Sequence, residues 1–139
     1  MLSSAGTFDV TPPTRTPGPL LSLVLPTFVE ADNLPVVVPL ALEALRGIPH
    51  EVLVVDDDSP DGTAAHLADT FRGDPAVRVH VRRGERGLAS AIRRGIAESR
   101  GDVVVVMDSD GNHDPALLPL MVRCAEEFDV VVGSRYVLG

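Results

Sequence analysis

The chain has 139 residues, of which 45% are hydrophobic and 4% aromatic, and a formal net charge of −8. That length and apolar content suit one domain with a core of Val, Leu and Ala, which excludes disorder throughout. The acidic balance argues against a nucleic-acid partner, because such binding rests on Lys and Arg neutralising phosphates.

Residues 1–19 mix Ser, Thr and Gly with Pro12, Pro13, Pro17 and Pro19. This composition buries too little to offset its ordering entropy and reads as a flexible leader. A domain follows over residues 20–139, built from a recurring unit. Residues 21–25 are an apolar strand, and residues 33–46 carry helical spacing, with Pro35 suited to a first turn and Pro39 expected to start or kink the helix. Residues 51–55 read as the second strand, 62–72 as a helix, 77–82 as the third strand and 88–99 as a helix. Residues 102–107 form the fourth strand, 115–128 the next helix and 129–133 a fifth strand. Strands alternating with helices of this length imply right-handed crossovers and an α/β fold, its mostly parallel sheet covered on both faces. The single Cys124 falls among apolar residues of a helix and reads as an inert core thiol. No apolar run reaches the roughly 18 residues that span a bilayer, and no export signal opens the chain, so a cytoplasmic location is expected.

Polar residues gather where each strand ends. Pro26-Thr27-Phe28-Val29-Glu30 follows the first strand, Asp56-Asp57-Asp58-Ser59-Pro60-Asp61-Gly62 the second and Arg82-Arg83-Gly84-Glu85-Arg86-Gly87 the third. Asp108-Ser109-Asp110 follows the fourth, and Ser134-Arg135-Tyr136 the fifth. All five clusters fall at carboxyl ends of strands, the edge where open α/β sheets bind ligands, near the point at which strand order reverses.

The acid pair is the sharpest chemical signal. Residues i and i+2 of an extended chain point the same way, so Asp108 and Asp110 can share one cation. Hard oxygen ligands with no thiolate or His cluster beside them favour Mg²⁺ or Mn²⁺ over Zn²⁺. Asn112 is either a third metal ligand or a turn-forming amide. Like charges about 4 Å apart repel by roughly 4 kcal/mol at an effective dielectric near 20, so a diphosphate bound here needs that cation. Residues 57–62 match the first half of a calcium loop, but Ala68 stands where the bidentate Glu is required. They read instead as a strand-to-helix turn with Asp61 near the helix N-terminus. Asp57, at the strand end itself, is placed to accept from a base N–H or a ribose hydroxyl. Arg135 suits either a second phosphate or a surface ion pair. His113, beside the acid pair, is open between a structural hydrogen bond and catalysis.

Five ordered segments carry a family resemblance: residues 25–34, 54–63, 86–91, 107–110 and 133–136. From residue 21 to 139 the chain resembles the family-2 glycosyltransferases of GT-A fold, and within them the dolichol-phosphate or polyprenol-phosphate mannosyltransferases. The resemblance implies a Rossmann-like GT-A domain truncated at the C-terminus, since members normally continue well past Gly139. It implies that Pro26, Phe28, Glu30, Val55 and Asp57 hold the guanosine half of GDP-mannose. It implies that Asp108, Ser109, Asp110 and Asn112 hold the diphosphate and its Mg²⁺ or Mn²⁺, and that Arg135 faces the phosphate of a polyprenyl (dolichyl) acceptor. The expected reaction is a metal-dependent, inverting mannosyl transfer with Asp110 and Arg135 as the catalytic residues, in peripheral contact with the cytoplasmic face of a membrane. Departures from the family pattern are Phe28 for a usual Tyr, Val29 for a usual Asn, Asn112 for a common Gln and Asp114 for a usual Pro. Two other readings stay open: a catalytically incomplete nucleotide-sugar-binding fragment, and a family-2 transferase using another donor such as UDP-glucose.

Overall fold

Runs of Val and Leu form the sheet, and in the computed structural model, which describes residues 20–134 and 136, four of them pair in parallel. These are β1 (Leu21–Thr27), β2 (His50–Asp56), β3 (Val77–Val81) and β4 (Val103–Val106), in the order β3-β2-β1-β4. Between and after them lie α1 (Leu34–Ala44), α2 (Thr63–Thr70), α3 (Leu88–Glu98) and α4 (Leu118–Cys124), the last preceded by a 3₁₀ turn, Pro115–Leu117.

The period-2 alternation of a strand sorts the core into two layers. Leu21, Leu23 and Leu25 of β1 join Val52, Val54 and Val105 against Leu34, Val38 and Ala41 of α1, Leu67 of α2, and Leu118 and Val122 of α4. Val24, Leu53 and Val55 point the other way and pack on Ala91 of α3. Helices therefore cover both faces, as the sequence pattern implies. The α3 layer is thin because Gly95 lets the helix approach β1. A β-carbon there would lie 2.2 Å from Val24 Cγ1, so either the Val24 side chain or the helix would have to shift.

Three expectations are corrected. Pro39, expected to start or kink α1, does not start it but sits inside it. Pro39 is exposed, and its missing amide leaves the Pro35 carbonyl without its helical partner. The expected helix over 115–128 is a 3₁₀ turn capped by Asp114, whose Oδ1 accepts from the Ala116 N–H at 2.9 Å, followed by α4. Residues 129–133 form no strand: the segment joins no ladder, and Val130 and Val132 are each 78% exposed. A strand needs a neighbour to bond its N–H and C=O groups, and β-propensity alone does not provide one. The expected leader over residues 1–19, Arg135 and residues 137–139 lie outside the described residues.

Chain order rises from β1 to β3 in one direction and returns to β4 on the other side of β1. The reversal thus lies between β1 and β4, and their carboxyl ends frame the crevice where ligands of such sheets bind.

Candidate functional site

The loops after β1 and β2 are sewn together by short polar side chains. Buried Asp56 accepts from the Ser59 N–H (2.9 Å) and the Ser59 hydroxyl (2.6 Å), and the same Ser59 oxygen accepts from the Val29 N–H at 2.9 Å. Asp61 accepts from the Ala31 N–H with one oxygen and from the Thr63 N–H and hydroxyl with the other. The Thr63 hydroxyl, then the backbone donors, hold the Asp61 carboxyl below its ordinary pKa. Asp61 therefore lies just before the N-terminus of α2, as expected, with Gly62 (φ 81°) as the N-cap, and also ties two loops together. These ties hold Val29 at φ 59° and Asp58 at φ 55°, the two non-glycine residues in the left-handed region among those described. Such strain persists only where the surroundings over-determine it, and here it flanks Phe28 and Asp57.

Asp57 has two engaged oxygens. Arg82, from the end of β3, places Nε 2.8 Å and Nη2 2.5 Å from Oδ1, while the Gly87 N–H donates to Oδ2 at 2.8 Å. Arg82 also reaches the Gly87 carbonyl and the Ser90 hydroxyl, so one buried guanidinium locks the loop between β3 and α3. Above this lock, the Arg86 guanidinium carbon lies 4.9 Å from the centre of the Phe28 ring, within cation–π range. The two side chains wall a cleft of about 260 Å³ floored by Pro26, Asp57, Gly87 and Ala91. A second cleft of about 380 Å³ adjoins it beside Asp58 and Glu85.

The acid pair stands on the other side of β1. Ser109 is buried and donates its hydroxyl to the Pro26 carbonyl at 3.0 Å, whereas Asp108 and Asp110 on either side of it are exposed. That alternation is the one a strand end produces. Pro26 and Thr27 thus bridge the whole site: Thr27 accepts the Asp57 N–H at 3.0 Å, and Pro26 accepts Ser109. The Asn112 N–H and side-chain amide both donate to Asp110, at 2.9 and 2.7 Å. With the charge of His113 nearby, these bonds lower the Asp110 pKa and keep the carboxylate ionised. His113 Nε2 lies 3.8 Å from Asp108.

A divalent cation fits this donor set in one specific sense. Among the described residues no group of three or more His, Cys, Asp or Glu side chains could hold a metal, which leaves two exposed carboxylates. Mg²⁺ and Mn²⁺ sites that share a substrate's phosphates use one or two carboxylates and complete the shell with phosphate oxygens and water.

The sequence-derived residues meet on one edge, with different duties. Pro26, Phe28, Asp57, Asp108 and Asp110 line it. Val55 is fully buried in the α3 layer, Ser109 is a pin between β4 and β1, and Glu30 accepts from the Asn33 side chain at 2.6 Å in the turn before α1. Asn112 spends its amide N–H on Asp110, leaving its oxygen for a ligand. Arg82 and Arg86 were missed as site residues. Their signal was position, since both fall in the polar cluster after the third strand.

Residues 22–139 match the family described as Glycosyl transferase family 2. Dolichol-phosphate mannosyltransferase of Pyrococcus furiosus is 41% identical over 120 residues, which cover 86% of this chain and 34% of that protein. Undecaprenyl-phosphate mannosyltransferase of Micrococcus luteus is 40% identical over 121 residues, covering 84% and 48%. The chain therefore spans between a third and a half of the length of these relatives. Glucosyl-3-phosphoglycerate synthase of Mycobacterium tuberculosis, solved with Mn²⁺, uridine diphosphate and phosphoglyceric acid, superimposes with a TM-score of 0.63. It is 27% identical, and the match covers 78% of this chain and 39% of that one.

Proposed function

Because the chain belongs to glycosyl transferase family 2, we propose that it is the nucleotide-sugar-binding part of an enzyme that moves mannose from GDP-mannose to a polyprenyl (dolichyl) phosphate. The observation that carries this reading is the bridging of Asp57 and the Asp108–Asp110 turn by the single dipeptide Pro26-Thr27. An apolar cleft and an acidic turn thus share one rim on either side of β1, which supports reading the first as a base pocket and the second as the seat of a metal-bound diphosphate. The names of the two mannosyltransferases support the lipid-phosphate acceptor and the sugar, and the Mn²⁺ in the synthase complex supports the metal.

In this reading Phe28 presents its ring to the base, and Asp57 shapes the pocket through the loop it anchors. Asp108, Asp110 and the Asn112 oxygen would hold Mg²⁺ or Mn²⁺, which when bound neutralises charge on the diphosphate leaving group. Asn112 and His113 keep Asp110 ionised for that task. A phosphomonoester with a second pKa near 6 is largely dianionic at pH 7, so an acceptor phosphate attacks without a protein base. Attack opposite the leaving group gives inversion. Arg135 is the residue the family resemblance assigns to orienting that acceptor, at the cytoplasmic face of a membrane.

The decisive experiment titrates the chain calorimetrically with GDP-mannose and with UDP-glucose, each with and without Mn²⁺, and then assays transfer of labelled mannose to a polyprenyl phosphate. Mn²⁺-dependent binding of GDP-mannose is expected, and tighter binding of UDP-glucose would overturn the donor assignment. The short span relative to the curated relatives favours a second reading, in which the chain binds the nucleotide sugar without turning it over. Binding without transfer supports it.

A further inference from the structure

Phe28 and Arg86 belong to loops 58 positions apart, yet the guanidinium of one lies over the ring of the other at 4.9 Å. The contact is not a by-product of an ion pair. Among the described residues no hydrogen bond or ion pair holds the Arg86 guanidinium, and the adjacent carboxylate of Glu85 is shared between Arg82 (3.2 Å) and Arg94 (3.9 Å). The backbone just behind Arg86 is fixed on two sides, because the Gly87 N–H donates to Asp57 and the Gly87 carbonyl accepts from Arg82. A cationic plane with an anchored root and a free tip therefore faces an exposed aromatic ring across an apolar cleft.

The spacing says how such a pair treats a flat ligand. Stacked surfaces lie roughly 3.5 Å apart, so a nucleobase held between ring and guanidinium needs about 7 Å between them. The present 4.9 Å closes the slot. Resting on the reading of this cleft as a nucleotide site, we propose that Arg86 is the movable jaw of the base pocket. The base enters between Phe28 and Arg86, and the guanidinium moves outward by about 2 Å, exchanging its cation–π contact with Phe28 for one with the base. Selection then rests on the area of the base, which favours a purine over a pyrimidine.

The test is equilibrium dialysis of labelled guanosine, uridine, GDP and UDP without metal, on the parent chain, Arg86→Ala and Arg86→Lys, with thermal unfolding to verify each fold. Arg86 is exposed, so the variants are expected to melt with the parent. The jaw requires that Arg86→Ala weaken guanosine and GDP by the same factor, about tenfold, and narrow the preference for guanosine over uridine. Arg86→Lys, which keeps the charge but not the plane, is expected to recover GDP binding only in part. A loss confined to the diphosphates would make Arg86 a phosphate ligand and overturn the proposal, as would no loss for either nucleoside. If the parent prefers uridine, the guanosine donor reading and the purine selection both fail, while an equal loss of uridine and UDP in Arg86→Ala still upholds the jaw itself.

Discussion

Arg82 and Asp57, 25 residues apart in sequence, are buried together with side chains only 2% and 8% exposed, and two guanidinium nitrogens bond the same carboxylate oxygen. Removing one partner leaves an uncompensated charge in a low-dielectric setting. Arg82→Ala is therefore expected to cost about 3–5 kcal/mol. Replacing both residues with apolar side chains of similar volume is expected to restore much of that stability while releasing the Gly87 loop and weakening nucleotide binding. Urea unfolding of the single and double variants separates the two effects.

Val29 carries the strain of the loop after β1. A β-branched residue at φ 59° crowds its own backbone, whereas Asn tolerates the left-handed region. The N–H that binds Ser59 is present in either residue. Val29→Asn is accordingly expected to raise stability by about 1 kcal/mol without displacing Phe28. A melting temperature that falls would show that the Val side chain earns its place through packing.

Glu51 lies at the opposite edge of the sheet, 3% exposed, and accepts from the Ser22 hydroxyl (2.7 Å), Arg78 (2.8 Å) and the Arg100 N–H (2.7 Å). Burial works to raise its pKa, but these bonds and the Arg78 charge outweigh it and hold the carboxyl below its ordinary 4.5. A pKa lower in the folded than the unfolded state lends stability above the unfolded value, and that stability is lost as pH falls through the folded one. Glu51→Gln is expected to cost about 1–3 kcal/mol at pH 7. The gap from the parent is expected to shrink as pH drops below 4.5, which urea midpoints across the acid range would reveal.

Asp110→Ala removes one of two exposed carboxylates and the acceptor of both Asn112 donors. Mn²⁺-dependent GDP-mannose binding is expected to weaken roughly a hundredfold, about 2.8 kcal/mol, with metal-free guanosine binding unchanged. Parent affinities that are equal with and without Mn²⁺ would remove the basis for this expectation.

Most of the fold was legible because its signals are local. Short apolar runs rich in Val and Leu mark β1 to β4, helical spacing marks α1 to α4, and the punctuation between them shows that Phe28, Asp57, Arg86 and the acid pair share the carboxyl edge. The motifs in those loops were also enough to identify the family. Partners were not legible. A strand-end Asp reads the same in sequence whether it meets solvent, a ligand or a buried Arg82, and a Ser between two acids does not announce that it is pinned to Pro26. The apolar stretch over residues 129–133 looked like β4, yet no described strand lies beside it, so its valines stay exposed. Composition and periodicity decided where β1 to β4 and the helices lie and which edge is polar, since these signals depend on neighbours along the chain. Only the tertiary structure decided the order β3-β2-β1-β4, the lock on Asp57 and the closure of Arg86 over Phe28, because each depends on contact between residues far apart in sequence.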